Sequence, residues 1–349
     1  MRLDFIQNYP LNLQANEILF SNIYPNLSPI DPKDYAQHKQ DIEEFSDFFG
    51  GREAYSFGFL CTDWFFLLEQ IAKNGLIAYG ISNHQQGYQA CKLLGNFPYK
   101  LIPDSQSGKI EIDSIKKAIM NKCRCFIVPF VNEDILSIND IVSIQMLLQE
   151  ELKDYILIID ISLAQSFQYP IPKILNSHTL FLLNGESIGL LRAHGSIIAK
   201  DFAYPFLFPP NLSNPMVFKA LNQGVKNPLQ VSYQDSKKLF YSCLKESLGD
   251  DLSLFVPLEN TLPNSLPLRF ASIKARNFLQ ALLLHKIYAI NGQECLYGLT
   301  RPSFVLQEMG YTQLQARELI SVSYRHLEDM KNLCEILKDI YLQIRLLEI

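Results

Sequence analysis

Three short, almost wholly apolar runs constrain this chain more than any other feature: residues 125–131 (CFIVPFV), 156–161 (ILIIDI) and 179–183 (TLFLL). Each reads as a β-strand, and a helical segment over 138–152 joins the first two. Strands apolar on both faces and alternating with helices argue for a mostly parallel sheet covered on both sides. The preceding chain continues the alternation, with helices predicted over 35–49, 62–72, 86–94 and 113–120 and strands over 75–80 and 99–103. The tract 202–228, rich in Pro, Asn and Phe, reads as loop and domain boundary. Beyond it the pattern is helix (236–248), strand (267–273), helix (275–285), strand (287–290), a loop carrying Cys295, a short helix (303–308), strand (319–324) and a long helix (329–346). The expected organisation is an extended segment over 1–12, a large α/β domain over 13–230 and a small α+β domain over 231–349.

Length and charge narrow the function classes. A chain of 349 residues with 48% hydrophobic content buries a sizeable core. Its formal charge of -5 offers no basic field for nucleic acid. No secretory signal and no long apolar run stand out, and seven scattered Cys suggest neither a disulfide framework nor a metal site. A cytoplasmic location is the expectation.

The chemistry-bearing stretch is residues 182–200, LLNGESIGLLRAHGSIIAK. It reads as a strand end, a Gly-bearing polar turn and a second strand, which puts Asn184, Gly185, Glu186 and Ser187 on a connecting loop. Taken singly, the other candidates have ordinary readings. His84 before a helix reads as a cap or a surface imidazole, and Cys295 as a buried small hydrophobe. Gln165 and Asn132 near strand ends read as loop hydrogen-bonders, and Thr62 and Asp63 as helix caps. Trp64 with Phe65 and Phe66 reads as core.

Their order along the chain resembles the cysteine desulfurases and class V aminotransferases. Gly292, Cys295, Gly298, Pro302, Ser303, Val305, Leu306 and Gly310 match the family's G-S-A-C-x-S-G-x-x-x-P-S-x-V-L-x-x-x-G. Leu3-Asp4 and Pro10 resemble its L-D-x-x-A-T-T-P opening, and Gly108 to Asp113 its G-x-I-D turn. His84 falls on the imidazole that stacks over the cofactor ring, Asn132-Glu133-Asp134 on N-N-E, and Gln165 on the Gln that meets the cofactor's phenolic oxygen. Residues 182–200 resemble the S-G-H-K cofactor loop. The resemblance implies pyridoxal-phosphate fold type I, a homodimer, pyridoxal 5'-phosphate as cofactor, and Cys295 as the thiol that takes sulfur from cysteine. It further implies Thr62, His84, Asn132, Gln165, Asn184 and Ser187 as the cofactor-side residues, with a setting such as iron–sulfur cluster assembly and a sulfur-acceptor or scaffold protein as partner.

The departures fall where the family's charges sit. The Schiff-base Lys is Ser187, whose hydroxyl cannot form an imine, and the His before it is Glu186. The Asp that pairs with the pyridinium nitrogen is Ser162, and the Arg that holds the substrate carboxylate is Ser321. The S-G-A-T-E phosphate turn is matched only by Phe59 to Asp63, keeping Thr62 and losing the Gly. The R-x-G-T segment has no counterpart between Asp201 and Gln234. Asp160, on the same strand face as Ser162, and Arg325 are the available substitutes for the lost Asp and Arg; Arg301 is placed to favour a Cys295 thiolate. The sequence therefore leads to a desulfurase-like protein without lysine-dependent catalysis, acting as a binding, regulatory or sulfur-carrying partner. The alternative is an active pyridoxal-phosphate desulfurase that releases sulfur onto Cys295.

Overall fold

The strands at the centre of the chain are buried on both faces because successive side chains feed two different cores. On β5 (Ile156–Asp160), Leu157 and Ile159 enter one apolar cluster while Ile156 and Ile158 enter another. The same division holds for β4 (Cys123–Pro129), with Phe126 and Val128 against Cys125 and Ile127. It recurs on β6 (Thr179–Asn184), with Phe181 and Leu183 against Leu180 and Leu182. A computed structural model describes residues 1–21, 31–204, 216–229, 234–297 and 301–347. The remaining strands are β1 (Glu53–Ser56), β2 (Leu76–Gly80), β3 (Tyr99–Leu101), β7 (Gly195–Ala199), β8 (Leu252–Leu254), β9 (Ser265–Phe270) and β10 (Leu319–Ser323).

Seven of them form a sheet in the order β1-β7-β6-β5-β4-β2-β3. The run from β3 through β2, β4 and β5 to β6 is parallel, whereas β7 pairs antiparallel with β6 and β1 antiparallel with β7. A three-stranded antiparallel sheet, β10-β9-β8, carries the second unit. Its core is built around Phe240, Phe270, Phe278 and Tyr341. The two units are stitched by the first residues of the chain: Arg2 bridges Tyr288 and Asp4 bridges Ser323, while the Asn12 amide donates to the Gly189 carbonyl. The architecture is the mixed α/β, mostly parallel one expected from the strand–helix alternation.

Several local expectations are corrected. The strand through Asp160 stops there, and Ser162 opens the short helix Ser162–Ser166, so the two do not share a strand face. The tract read as loop contains the helix Val217–Lys226, whose Val217, Phe218, Leu221 and Val225 complete the large core. Residues 205–215 of that tract and the expected boundary at 230–231 lie outside the described residues. The predicted strand at 287–290 is reduced to isolated bridges at Tyr288 and Ile290. Strands β1 and β8 and the helix Leu13–Leu19 have signals too short to stand out from periodicity. No described helix is long and apolar enough to cross a membrane.

Two buried ionisable groups test the fold. Lys237, 5% exposed, donates to the carbonyls of Thr261 (2.8 Å) and Leu262 (3.0 Å) and lies 3.7 Å from Asp235. Replacing it with Met strands those carbonyls, and we expect a destabilisation on the order of 2–4 kcal/mol in denaturant titrations. Asp160 is 7% exposed, and burial pushes its carboxyl up to about 6 against the opposing hydrogen bonds from Ser162. A folded-state value above the unfolded one gives a contribution that is present below the unfolded pKa and lost as pH rises through the folded one. The stability difference between the native chain and Asp160→Asn should therefore fall between pH 4 and 7, by on the order of 2–3 kcal/mol. A difference that grows over that interval overturns the assignment.

Candidate functional site

Parallel strands joined by helical crossovers deliver the loops after their carboxyl ends to one edge of the sheet, and a cleft opens there. It has a volume of about 860 Å³. His84 reaches it from the loop after β2, Glu133 from the loop after β4, Ser162 and Leu163 after β5, and Asn184, Glu186 and Ser187 after β6. The facing wall comes from residues 2–11 and from the second unit, through Leu279, Leu283, Tyr288, Gln293 and Cys295.

The loop after β6 is a single tight turn, Gly185–Ile188. Asn184 caps it, its Oδ1 accepting from the Glu186 amide at 3.1 Å, while the Ser187 hydroxyl donates to the Asn184 carbonyl at 2.6 Å. Gly185 is required because a Cβ there would meet the His194 carbonyl oxygen at 2.2 Å. Glu186 is held by Arg192 through two contacts of 3.0 and 3.2 Å. On the opposite wall Arg2 grips Asp4 in the same bidentate way, at 3.0 and 2.7 Å. Each arginine thus faces the cleft with its own carboxylate partner. Neither pair was apparent in the sequence, since the members are set together only by the turn and by the extended N-terminal segment.

His84 caps the helix Gln85–Leu93, its Nδ1 accepting from the Gln86 amide at 3.3 Å, and its Nε2 lies 3.5 Å from the side-chain Nδ2 of Asn184. Phe59 meets the imidazole edge-on with ring centroids 5.4 Å apart. Burial, with a smaller push from Arg192, lowers the His84 pKa to about 3, so the ring is neutral. Glu133 is pushed well above the usual carboxylate range by burial and then by Asp134, Asp160 and Glu186. A neutral imidazole and a carboxyl of raised pKa therefore share the cleft. Cys295 sits on the turn Gln293–Tyr297, half-buried. Burial raises its thiol pKa, a backbone hydrogen bond at Asn291 opposes this, and Asp4 and Asp134 add to the rise. The expected thiolate-favouring role of Arg301 is corrected: Arg301 is exposed and is not among the causes of the shift.

Of the residues singled out from sequence, His84, Asn184, Ser187, Ser162 and Cys295 line this one cleft. Asn132, Gln165 and Thr62 do not. Asn132 is fully buried, accepting from Ser82 and donating to the Gly108 carbonyl at 2.9 Å, where it knits together loops behind the wall. Gln165 points to a separate hollow beside Phe49 and Tyr169, because the helix opened by Ser162 turns it away. Thr62 is exposed on the first turn of the helix Cys61–Ala72. Ser321 is sealed at 0% exposure, donating to the Asp134 carbonyl at 2.7 Å and accepting from Gln7 at 2.9 Å. Gly298 of the Cys-loop pattern lies outside the described residues.

This lining does not fit a covalently held pyridoxal phosphate. Every lysine of the chain lies within the described residues, and none lines the cleft. Asp160, the substitute partner for a ring nitrogen, lies outside the lining and accepts from the Ser162 amide at 2.9 Å. Arg325 is exposed and also outside it. The phosphate-turn counterpart, Phe59 to Asp63, contributes nothing to the wall. Among the described residues no cluster could hold a metal ion.

No protein-family model matches the chain, and no curated protein matches it by sequence. Solved structures do match. A NifS-like protein from Rickettsia africae superposes with a TM-score of 0.70 at 14% identity over 99% of both chains. A further NifS-like protein gives 0.75 at 14% identity, again over 99% of both. The apo cysteine desulfurase from Thermococcus onnurineus gives 0.72 at 13% identity over 98% of this chain and 95% of that one. At such identities the likeness concerns architecture, and with the seven-stranded sheet above it places the chain in the fold of the cysteine desulfurases, pyridoxal-phosphate fold type I.

Proposed function

We propose that this chain is a cysteine desulfurase-like protein that has lost lysine-dependent pyridoxal-phosphate catalysis and acts as a binding, regulatory or sulfur-carrying partner. The observation that carries the reading is the amine-free cleft: Ser187 occupies the loop after β6, and no lysine reaches the wall from elsewhere. An imine needs a primary amine, and a hydroxyl forms none. Two further losses point the same way, since Ser162 and Ser321 stand where the family resemblance expects a ring-nitrogen carboxylate and a carboxylate-binding guanidinium. The fold resemblance makes a homodimer the expected assembly, with a sulfur-acceptor or scaffold protein as the natural partner class.

A second reading is favoured by one placement. Cys295 and His84 line the same cleft, as a desulfurase that holds its cofactor without a covalent bond would need. In that case sulfur would pass from cysteine to Cys295.

The deciding experiment adds pyridoxal phosphate to the purified chain, follows visible absorbance, reduces with borohydride and searches for a modified lysine by peptide mass spectrometry. We expect no site-specific lysine adduct; one stoichiometric adduct sinks the proposal. In parallel, sulfide release from cysteine with cofactor and thiol present should stay at the level of the Cys295→Ala variant. Release that vanishes on that substitution establishes the enzymatic reading instead.

A further inference from the structure

Two hydrogen-bond acceptors in one corner of the cleft lack a donor among the described residues. The corner forms where the loops after β2 and β4 meet the turn Gln293–Tyr297. There the Glu133 amide donates to the Ser82 carbonyl at 2.8 Å, and the Gln293 amide donates to Asp134 Oδ1 at 2.7 Å. Gln293 is 3% exposed, and its side-chain Nε2 donates to the Asn83 carbonyl at 3.2 Å. A carbonyl only accepts, so this bond fixes which end of the side-chain amide is nitrogen and leaves Oε1 to face another way. Glu133 and Gln293 both line the cleft, and among the described residues no N–H or O–H group donates to Gln293 Oε1 or to the Glu133 carboxyl.

The charge of the corner is unbalanced in the same sense. Burial raises the Glu133 pKa first, then Asp134, Asp160 and Glu186 raise it further, and none of these causes opposes the others. The two guanidiniums of the wall are engaged by other carboxylates, Arg2 by Asp4 and Arg192 by Glu186, and no lysine lines the cleft. A ligand that donates hydrogen bonds and carries positive charge answers both deficits, whereas a neutral donor answers only the first. An anion answers neither.

We propose that the cleft binds a small organic amine, its ammonium group received by Glu133 and Gln293 Oε1 and its apolar body laid against Leu190, Leu279 and Leu283. A volume of about 860 Å³ admits a ligand of that class. Selectivity then comes from the charge of the ligand, because a neutral molecule of the same shape leaves the Glu133 carboxyl as poorly solvated as before. The inference rests on the reading that the cleft serves binding and not lysine-dependent cofactor chemistry.

The test uses the full chain, without added cofactor, and two probes that share a ring and differ in one charged donor group, benzylamine and benzyl alcohol. Isothermal titration should give an affinity for benzylamine roughly tenfold or more above that for benzyl alcohol, the effect of a hydrogen bond to a charged group. Glu133→Gln keeps the shape of the side chain and removes its charge, and in it the two probes should bind alike. Gln293→Met removes the other acceptor and leaves every charge in place, so the preference for the amine should shrink without vanishing; this variant decides the matter should Glu133→Gln fail to fold. Equal affinity of the two probes for the native chain overturns the proposal. So does a preference for the amine that persists undiminished in the variants, which would assign it to acids elsewhere on the surface. Neither result bears on the loss of catalysis, which the lysine adduct and Cys295-dependent sulfide release decide. Conversely, a stoichiometric lysine adduct removes the footing of this inference even where benzylamine binds.

Discussion

A parallel strand cannot be joined to its neighbour by a tight turn; the chain must cross back over the sheet, and the backbone between must find its hydrogen bonds in a helix. From β2 to β6 this constraint dictates the rest of the molecule. Helices are obliged to cover both faces, which is why Leu157 and Ile158 sit in different cores though adjacent in sequence. Each strand's outgoing loop is likewise obliged to emerge at the same edge. His84, Glu133, Ser162 and Asn184, far apart along the chain, meet there because of topology and not because of any local attraction.

Topology of this kind is legible from sequence wherever apolar runs are long. The three central strands and the helix joining the first two are found within a few residues of their predicted limits, because burial on both faces leaves an unbroken apolar signature. Strand β7 was legible in the run GSIIAK, whereas β1 was not, since it spans four residues with a half-exposed pattern. The helix at Val217–Lys226 was hidden by the Pro- and Asn-rich stretch before it. The site divides along the same line. Residues at or just after a strand end, such as Asn184 and Ser187, could be placed by counting from the strand. Asn132 and Gln165 could not, because a one-residue change in where a strand stops rotates the next side chains by a large angle, and β5 stops at Asp160 before a helical turn.

The charged groups of the cleft are largely held by partners on its own walls. Arg2 and Arg192 are each satisfied by a carboxylate of the same wall, and His84 is kept neutral by burial. Desolvation, then Asp134, Asp160 and Glu186, push the Glu133 carboxyl well above the usual range. The two guanidinium charges that face the recess are thus already paired within its walls. The lining is compatible with ligand recognition by shape and hydrogen bonding, with Asn184 and Ser187 among the polar groups of the wall.

The first residues of the chain add a temporal aspect. Residues 2–11 form a wall of the cleft, yet their backbone partners are Tyr288 and Ser323, with Phe5 donating to the Ser323 carbonyl at 3.0 Å. During synthesis residues 2–11 cannot be seated before Tyr288 and Ser323 have been made. Contacts of such long sequence separation form late, because the entropy of closing the loop is spent before any contact is gained. The wall made by residues 2–11 therefore depends on contacts across some of the longest sequence separations in the described residues.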